Sequence, residues 1–298
     1  MQFDRSVLLL DLVPFVAFVA VFLLFWGAIY LAIPLIRRAL NFAVRPLARV
    51  STRWSWVGRF LGEGSPWRAY LPVVLVVLAG VILTIAVGDS FLDTAELVHA
   101  NSAALQTTDV RVHDWAVHRR ADAVTFFFVT MTNAGGPFGD AALVIVSAAI
   151  LLFRRRLRWL AYLVITAGGG ALLNLQLKHF FTRARPDVAD ALRAAHGYSF
   201  PSGHAMGATV VYGALSYLAF RAITRWSWRA AAVAFTLTMI LAVASSRVYL
   251  GVHWVSDVIA GVTAGTTWVI STTVAYETLR RIRLVRRVRV PLPAQMPG

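Results

Sequence analysis

Long stretches without a single charge constrain this chain more than any other feature. Leu12 to Ile36 is one of them. As a helix it is long enough to cross a hydrocarbon layer of about 30 Å with some tilt. Six more apolar stretches follow: Leu71 to Gly88, Ala141 to Phe153, Trp159 to Leu177, Ala205 to Phe220, Ala230 to Ser245 and Val258 to Tyr276. Only 14% of residues are charged and the mean hydropathy is +0.67, which excludes an ordinary soluble domain. The reading is an all-α, polytopic transmembrane helical bundle: a six-span core over residues 71–279, preceded by one extra N-terminal span and a basic linker (1–70). A basic tail follows at 280–298, where disorder is expected.

Leu12 to Ile36 exceeds the apolar core of a signal peptide, and Pro34 to Arg38 offers no small-residue cleavage site, so this span is expected to be retained. Between the second and third spans the chain is polar. Asp89 to Asp122 suggests one or two short helices lying on the membrane. Asp122 to Gly139 is broken by Asn133, Gly135, Gly136 and Pro137 and is placed at the outer interface. Gly168, Gly169 and Gly170 in the fourth span permit close helix packing.

The basic residues set the orientation. Arg37, Arg38, Arg45, Arg49, Arg53, Arg59 and Arg68 fall in the linker, interleaved with Trp54, Trp56 and Trp67. The alternation of spans puts them on the same side as Arg154 to Arg158, Arg221 to Arg229 and the tail arginines from Arg280 to Arg289, which together make up most of the 29 basic residues. By the positive-inside rule that side is cytoplasmic, so the chain is expected in a plasma (inner) membrane with its C-terminus inside. A net charge of +15 distributed in this way argues for membrane topology and against a nucleic-acid partner. The chain has no cysteine, so disulfides and thiolate metal sites are excluded.

The opposite, outer face receives all seven histidines: His99, His113, His118, His179, His196, His204 and His253. It also collects Lys178, the only lysine, with Arg183, Arg185, Arg193 and Arg247, against the general charge bias. Such a cluster implies a bound anion. Pro201, Ser202, Gly203 and His204 form a turn ahead of the fifth span, and a helix start there gathers unpaired N–H groups that suit a phosphate. His253 and Asp257 are four residues apart, so a carboxylate can hold one imidazole nitrogen and leave the other free. The outer loops show no carboxylates and histidines at a convincing metal-ligand spacing.

Taken together, the chain reads Lys178, six residues, Arg185, Pro186; then Pro201, Ser202, Gly203, His204; then Ser246, Arg247, five residues, His253, three residues, Asp257. This resembles the type 2 phosphatidic acid phosphatase superfamily, the lipid phosphate phosphatases that share a site with vanadium haloperoxidases. The resemblance covers Leu71 to Tyr276 and leaves the first span and linker outside it. It implies that His253 attacks phosphorus to give a phosphohistidine, that Asp257 orients it, and that His204 protonates the leaving oxygen and later activates water. It further implies that Lys178, Arg185, Arg247, Ser202 and Gly203 hold the phosphoryl oxygens, with no metal and no cofactor. Arg183, Arg193, His179 and His196 lie outside the family pattern, as second-phosphate contacts or simple loop residues.

The expected reaction is hydrolysis of a lipid phosphate or diphosphate at the outer leaflet. Polyprenyl diphosphate, phosphatidylglycerol phosphate and phosphatidate are the candidates. Helices that feed a site from the membrane suit lipids better than halide chemistry. The same motifs would serve a phosphotransferase that replaces water with a lipid or sugar hydroxyl. A silent lipid-binding or transport protein is the alternative from another class; the presence of both histidines and the absence of charges inside the assigned spans argue against it. The lipid bilayer and a membrane lipid phosphate are the expected partners, and the sequence leaves the oligomeric state open.

Overall fold

The computed structural model describes residues 12–32, 34–35, 38 and 70–289, and all regular structure among them is helical. Apart from Arg38, the linker arginines, and the tail beyond residue 289, lie outside the described residues. In chain order the helices are α1 (Leu12–Ala32), α2 (Leu71–His99), α3 (Ala103–Val117), α4 (Asp122–Ala134), α5 (Pro137–Phe153), α6 (Leu157–Phe181), α7 (Gly203–Ala222), α8 (Trp226–Tyr249) and α9 (Val255–Arg289), with a 3-10 turn at Val188–Asp190.

Five of these, α1, α2, α6, α8 and α9, are long and apolar enough to cross a membrane alone. The α4–α5 pair makes a sixth candidate, bent by 46° at its break. The 20-residue α7 is not among them, and its place in the fold explains why. It packs against α6, α8 and α9 with Ala205, Ala208 and Ala214 fully buried, and its Gly203, Gly207, Gly213 and Thr209 lie against neighbouring helices.

Three boundaries differ from the sequence reading. The second span does not stop at Gly88: α2 continues to His99, because Phe91, Ala95 and Val98 keep the helical spacing beneath the acidic residues and pack on Phe200, Leu105 and Phe181. The stretch from Asp122 to Gly139 is helical on both sides of a break at Gly135 and Gly136, and the helix that carries the third apolar stretch starts at Pro137, ahead of Ala141. At the other end α9 runs through 280–289, with Glu277 accepting from Arg280 at 2.7 Å and lying 3.4 Å from Arg281.

Small residues bring the central helices together. A Cβ at Gly261 of α9 would come within 2.7 Å of Ser202 O, and one at Gly265 within 2.9 Å of Thr209, so α9 lies directly on α7. The glycine run of α6 does what its composition predicts at two of three positions. Gly169 lies under the Trp268 ring and Gly170 against Val210, while Trp268 Nε1 donates to Thr166 O at 2.8 Å. Outside this centre, α1 rests on α4 through Phe15, Phe18 and Phe127, and its Trp26 Nε1 donates to Ser227 O at 3.1 Å.

Candidate active site

The end of α6, the start of α7, the end of α8 and the turn before α9 meet at one end of the bundle. They enclose a cavity of about 590 Å³ whose wall includes Lys178, Arg185, His204, Arg247 and His253. Residues up to 75 positions apart in sequence thus share one space. Gly203 is also on this wall; Ser202 and Asp257 stand behind it.

His253 is 2% exposed, in the Gly251–Trp254 turn that feeds α9. Arg185 Nη1 lies 3.0 Å from its Nε2. A guanidinium can only donate, so Nε2 accepts and the imidazole proton sits on Nδ1. On that side Ser199 Oγ is 3.3 Å away and Asp257 Oδ2 3.5 Å. Ser199 also donates to Asp257 Oδ2, in a short contact. Burial pushes the His253 pKa down to about 4, against the pull of the Asp257 carboxylate, which acts upward. The result is a neutral imidazole with its Nε2 lone pair turned to the cations of the cavity.

Asp257 is fully buried, yet every face of its carboxylate is occupied. Oδ1 accepts from Arg183 Nη1 at 2.7 Å, and Oδ2 accepts from Trp254 N–H at 3.0 Å and from Ser199. Arg183 is itself clamped: its Nη2 donates to Asp109 Oδ2 at 2.7 Å, and Asp109 accepts Ser256 N–H at 3.0 Å and Ser256 Oγ–H at 2.6 Å. So Arg183 does not face the cavity. It carries the support of Asp257 outward to α3.

The cations are held by backbone carbonyls and uncharged groups, which leaves their charge uncompensated. Arg185 donates to Gly197 O at 2.9 Å, Val252 O at 2.7 Å and His196 O at 3.1 Å. Gly197 has φ +73°, a left-handed conformation that glycine takes without a Cβ penalty and that turns its carbonyl to the guanidinium. Lys178 Nζ donates to Tyr198 O at 2.6 Å, and Arg247 Nη1 to Thr132 Oγ1 at 2.6 Å. None of the three ion-pairs with a carboxylate among the described residues. Such a set is built for an anion.

His204 stands on the far wall of the cavity, with Gly136 making room: a Cβ there would lie 3.2 Å from His204 Nε2. Gly136, which the sequence reads only as a helix breaker, therefore also shapes the site. The Ser202 N–H donates to Asp257 O at 2.9 Å, so it is not free for phosphate, and the buried Ser202 Oγ has no partner. The free amides of the turn start at Gly203. Among the loop residues outside the motifs, His196 lines the cavity, Arg193 Nη1 donates to Asn133 Oδ1 at 2.6 Å, and His179 packs on the Tyr198 ring.

The sequence reading missed Asp109, Thr132, Ser199 and Ser256. Asp109 is 74 residues from Arg183, and no local spacing signals the pairing. Ser199 lies two residues before Pro201, in the loop that leads into the second motif, and carries no mark of its own in the sequence.

A family model for the PAP2 superfamily matches residues 158–281. Phosphatidylglycerophosphatase B of Bacillus subtilis is 32% identical over 176 residues, 59% of this chain and 85% of that protein. A decaprenylphosphoryl-5-phosphoribose phosphatase of Mycobacterium tuberculosis is 33% identical over 126 residues, covering 40% of this chain and 62% of its own. An undecaprenyl-diphosphatase of Sulfolobus acidocaldarius is 31% identical over 148 residues, covering 48% and 67%. The crystal structure of a transmembrane PAP2-type phosphatidylglycerolphosphate phosphatase from Bacillus subtilis superposes with a TM-score of 0.56 at 28% identity, over 64% of this chain and 94% of that one.

Proposed function

The chain belongs to the PAP2 superfamily, as a membrane lipid phosphatase, and on that premise we propose that it hydrolyses its substrate through a phosphohistidine on His253. In the first step His253 Nε2 forms a bond to phosphorus as the bond from phosphorus to the lipid oxygen breaks, and His204 gives that oxygen a proton. Burial and the neighbouring cations lower the His204 pKa to about 3, and the negative charge of the bound phosphate is what raises it so that it carries that proton. In the second, His204 takes a proton from water, the water oxygen bonds phosphorus, and the P–N bond breaks to release inorganic phosphate. Asp257 and Ser199 hold the Nδ1 proton throughout, which keeps the same nitrogen presented. Lys178, Arg185, Arg247 and the Gly203 amide take the phosphoryl oxygens as charge builds on them. Arg185 moves its hydrogen bond from Nε2 to a phosphoryl oxygen when substrate enters.

One observation carries this reading: a neutral Nε2, its tautomer fixed by Arg185 on one side and Asp257 on the other, opens on the same cavity as His204 and three cations without carboxylate partners. The protein's own groups complete the reaction in this scheme, without a metal. The positive-inside bias supports an active site on the extracytoplasmic face and a cytoplasmic C-terminus.

The test is phosphate release by detergent-purified protein, wild type beside His253→Ala. Phosphatidylglycerol phosphate, phosphatidate and polyprenyl diphosphate are offered in parallel with a chelator present. Release from at least one lipid, absent in the variant, is expected. Activity that disappears with chelator and returns with a divalent ion would overturn the mechanism.

A further inference from the structure

The catalytic cavity has a second polar tier. Lys178 and His204 face the phosphate seat from α6 and α7. One helical turn deeper on the same two helices stand Asn174, four residues before Lys178, and Gly207, three after His204. Gly207 leaves a gap that the carboxylate of Asp140, from the first turn of α5, fills. Its Oδ2 lies 2.6 Å from where a Cβ on Gly207 would be. Asp140, Asn174 and Gly207 line the same cavity as His253, and the wall around them is hydrocarbon from Ala141, Val144 and Ala171.

Neither polar side chain has a good partner. Asp140 Oδ1 is shut off from solvent with no hydrogen bond. Asn174 donates only to Met206 Sδ, at 3.4 Å, a weak acceptor. The nearby phenol of Tyr212 already gives its O–H to Ala134 O at 3.3 Å. An acid in a first turn does favour the helix dipole. No hydrogen bond ties the Asp140 carboxyl to an amide of that turn, and its Oδ2 is turned to Gly207 of α7. A buried carboxyl oxygen without a hydrogen-bond partner is costly and calls for a ligand or another explanation.

We infer that Asp140 and Asn174 bind a free hydroxyl on the carbon next to the phosphoester carbon, so that this site selects glycerol phosphates bearing that hydroxyl over a phosphate carried directly on an isoprenyl chain. The hydroxyl donates to Asp140, and Asn174 Nδ2–H donates to the hydroxyl oxygen. Four covalent bonds of roughly 1.5 Å separate phosphorus from that oxygen, an extended reach of about 5 Å, which is one helical turn. An isoprenyl phosphate offers only hydrocarbon at that depth and leaves both groups unpaired. The inference rests on the phosphatase reading above.

The test compares kcat/KM for 1-acylglycerol 3-phosphate and for its analogue without the middle hydroxyl, the acylated phosphate of propane-1,3-diol. Wild type is expected to favour the first about tenfold, the scale of one hydrogen bond to a charged group. Asp140→Ala is expected to bring the ratio near one. Asp140→Asn, which keeps the size and one acceptor oxygen, retains part of the preference and reports that the fold is intact. A parallel arm with phosphatidylglycerol phosphate, whose head-group glycerol carries the same hydroxyl beside the phosphoester carbon, is expected to lose rate in Asp140→Ala as 1-acylglycerol 3-phosphate does. A wild-type ratio near one, or equal losses on 1-acylglycerol 3-phosphate and on its analogue without the hydroxyl in Asp140→Ala, overturns the inference while His253-dependent release keeps the phosphatase reading. No release from any of the lipids overturns both.

Discussion

Arg183 donates to Asp257 Oδ1 at 2.7 Å, and that bond makes a residue outside the three motifs part of the support of His253. The same guanidinium is anchored on the buried Asp109, so the order of support runs from α3 through Arg183 and Asp257 to His253. Each group in this row is positioned by the one behind it.

Removing Arg183 leaves two buried carboxylates unpaired. Arg183→Ala is expected to destabilise the fold by several kcal/mol, the scale for breaking a buried ion pair. Arg183→Lys keeps the charge but loses the fork. It is expected to fold and to lose kcat by on the order of a hundredfold, with KM little changed, since a small misplacement of a reacting group costs that much. Steady-state kinetics beside a thermal melt separate the two effects. A fall in KM-dependent binding alone would refute the positioning role.

The His253 pKa of about 4 predicts the acid limb of activity. A lowered pKa keeps the imidazole neutral further into acid, so protonation of His253 is expected to cut kcat/KM only as pH drops through about 4, as a limb separate from that of His204, whose pKa burial and the cations of the cavity also lower. This is to be read after correction for the substrate's own ionisation. Asp257→Asn removes the carboxylate that raises this pKa and is expected to move the limb lower still while reducing kcat. A midpoint near the ordinary histidine value in wild type would contradict the buried, neutral nucleophile.

Gly136→Ala puts a methyl group 3.2 Å from His204 Nε2. The imidazole must shift, and kcat is expected to fall by about 10- to 100-fold, part of what a general acid contributes. Because Thr132 O is 2.9 Å from the same position, a modest loss of stability accompanies it. An unchanged kcat would mean that His204 does not act from this wall.

Orientation is open to a direct check. A reporter fused after Gly298 is expected to read cytoplasmic, and an epitope inserted in the loop between Pro186 and Gly197 to read extracytoplasmic. The reverse pattern would put the site on the other face.

Much of this site is legible in the chain. Lys178, Arg185, His204, Arg247 and His253 stand at the ends of apolar spans, and alternation of spans alone brings such ends together. The break at Gly135, Gly136 and Pro137 is legible too, though its outcome is not. Two helical segments on either side of a bend look, in sequence, like an interfacial loop followed by a short span. The bend places Thr132 on Arg247 and Gly136 against His204, and both contacts depend on its angle.

The sequence by itself determined the class of fold, and it singled out the end of the bundle and the pair of histidines to which the chemistry is assigned under the proposed function. Hydrophobic run length, charge bias and spacing within a motif are local properties and survive without coordinates. Only the tertiary structure decided that Arg183 turns inward to Asp257 while Arg185 faces the cavity, although the two are neighbours but one in the same loop. It also decided that Asp140, read as the boundary of a span, lines the same cavity as His204 and His253. The direction of a side chain follows from partners dozens of residues away, and Asp109 and Gly207 supply those partners only once the helices are packed.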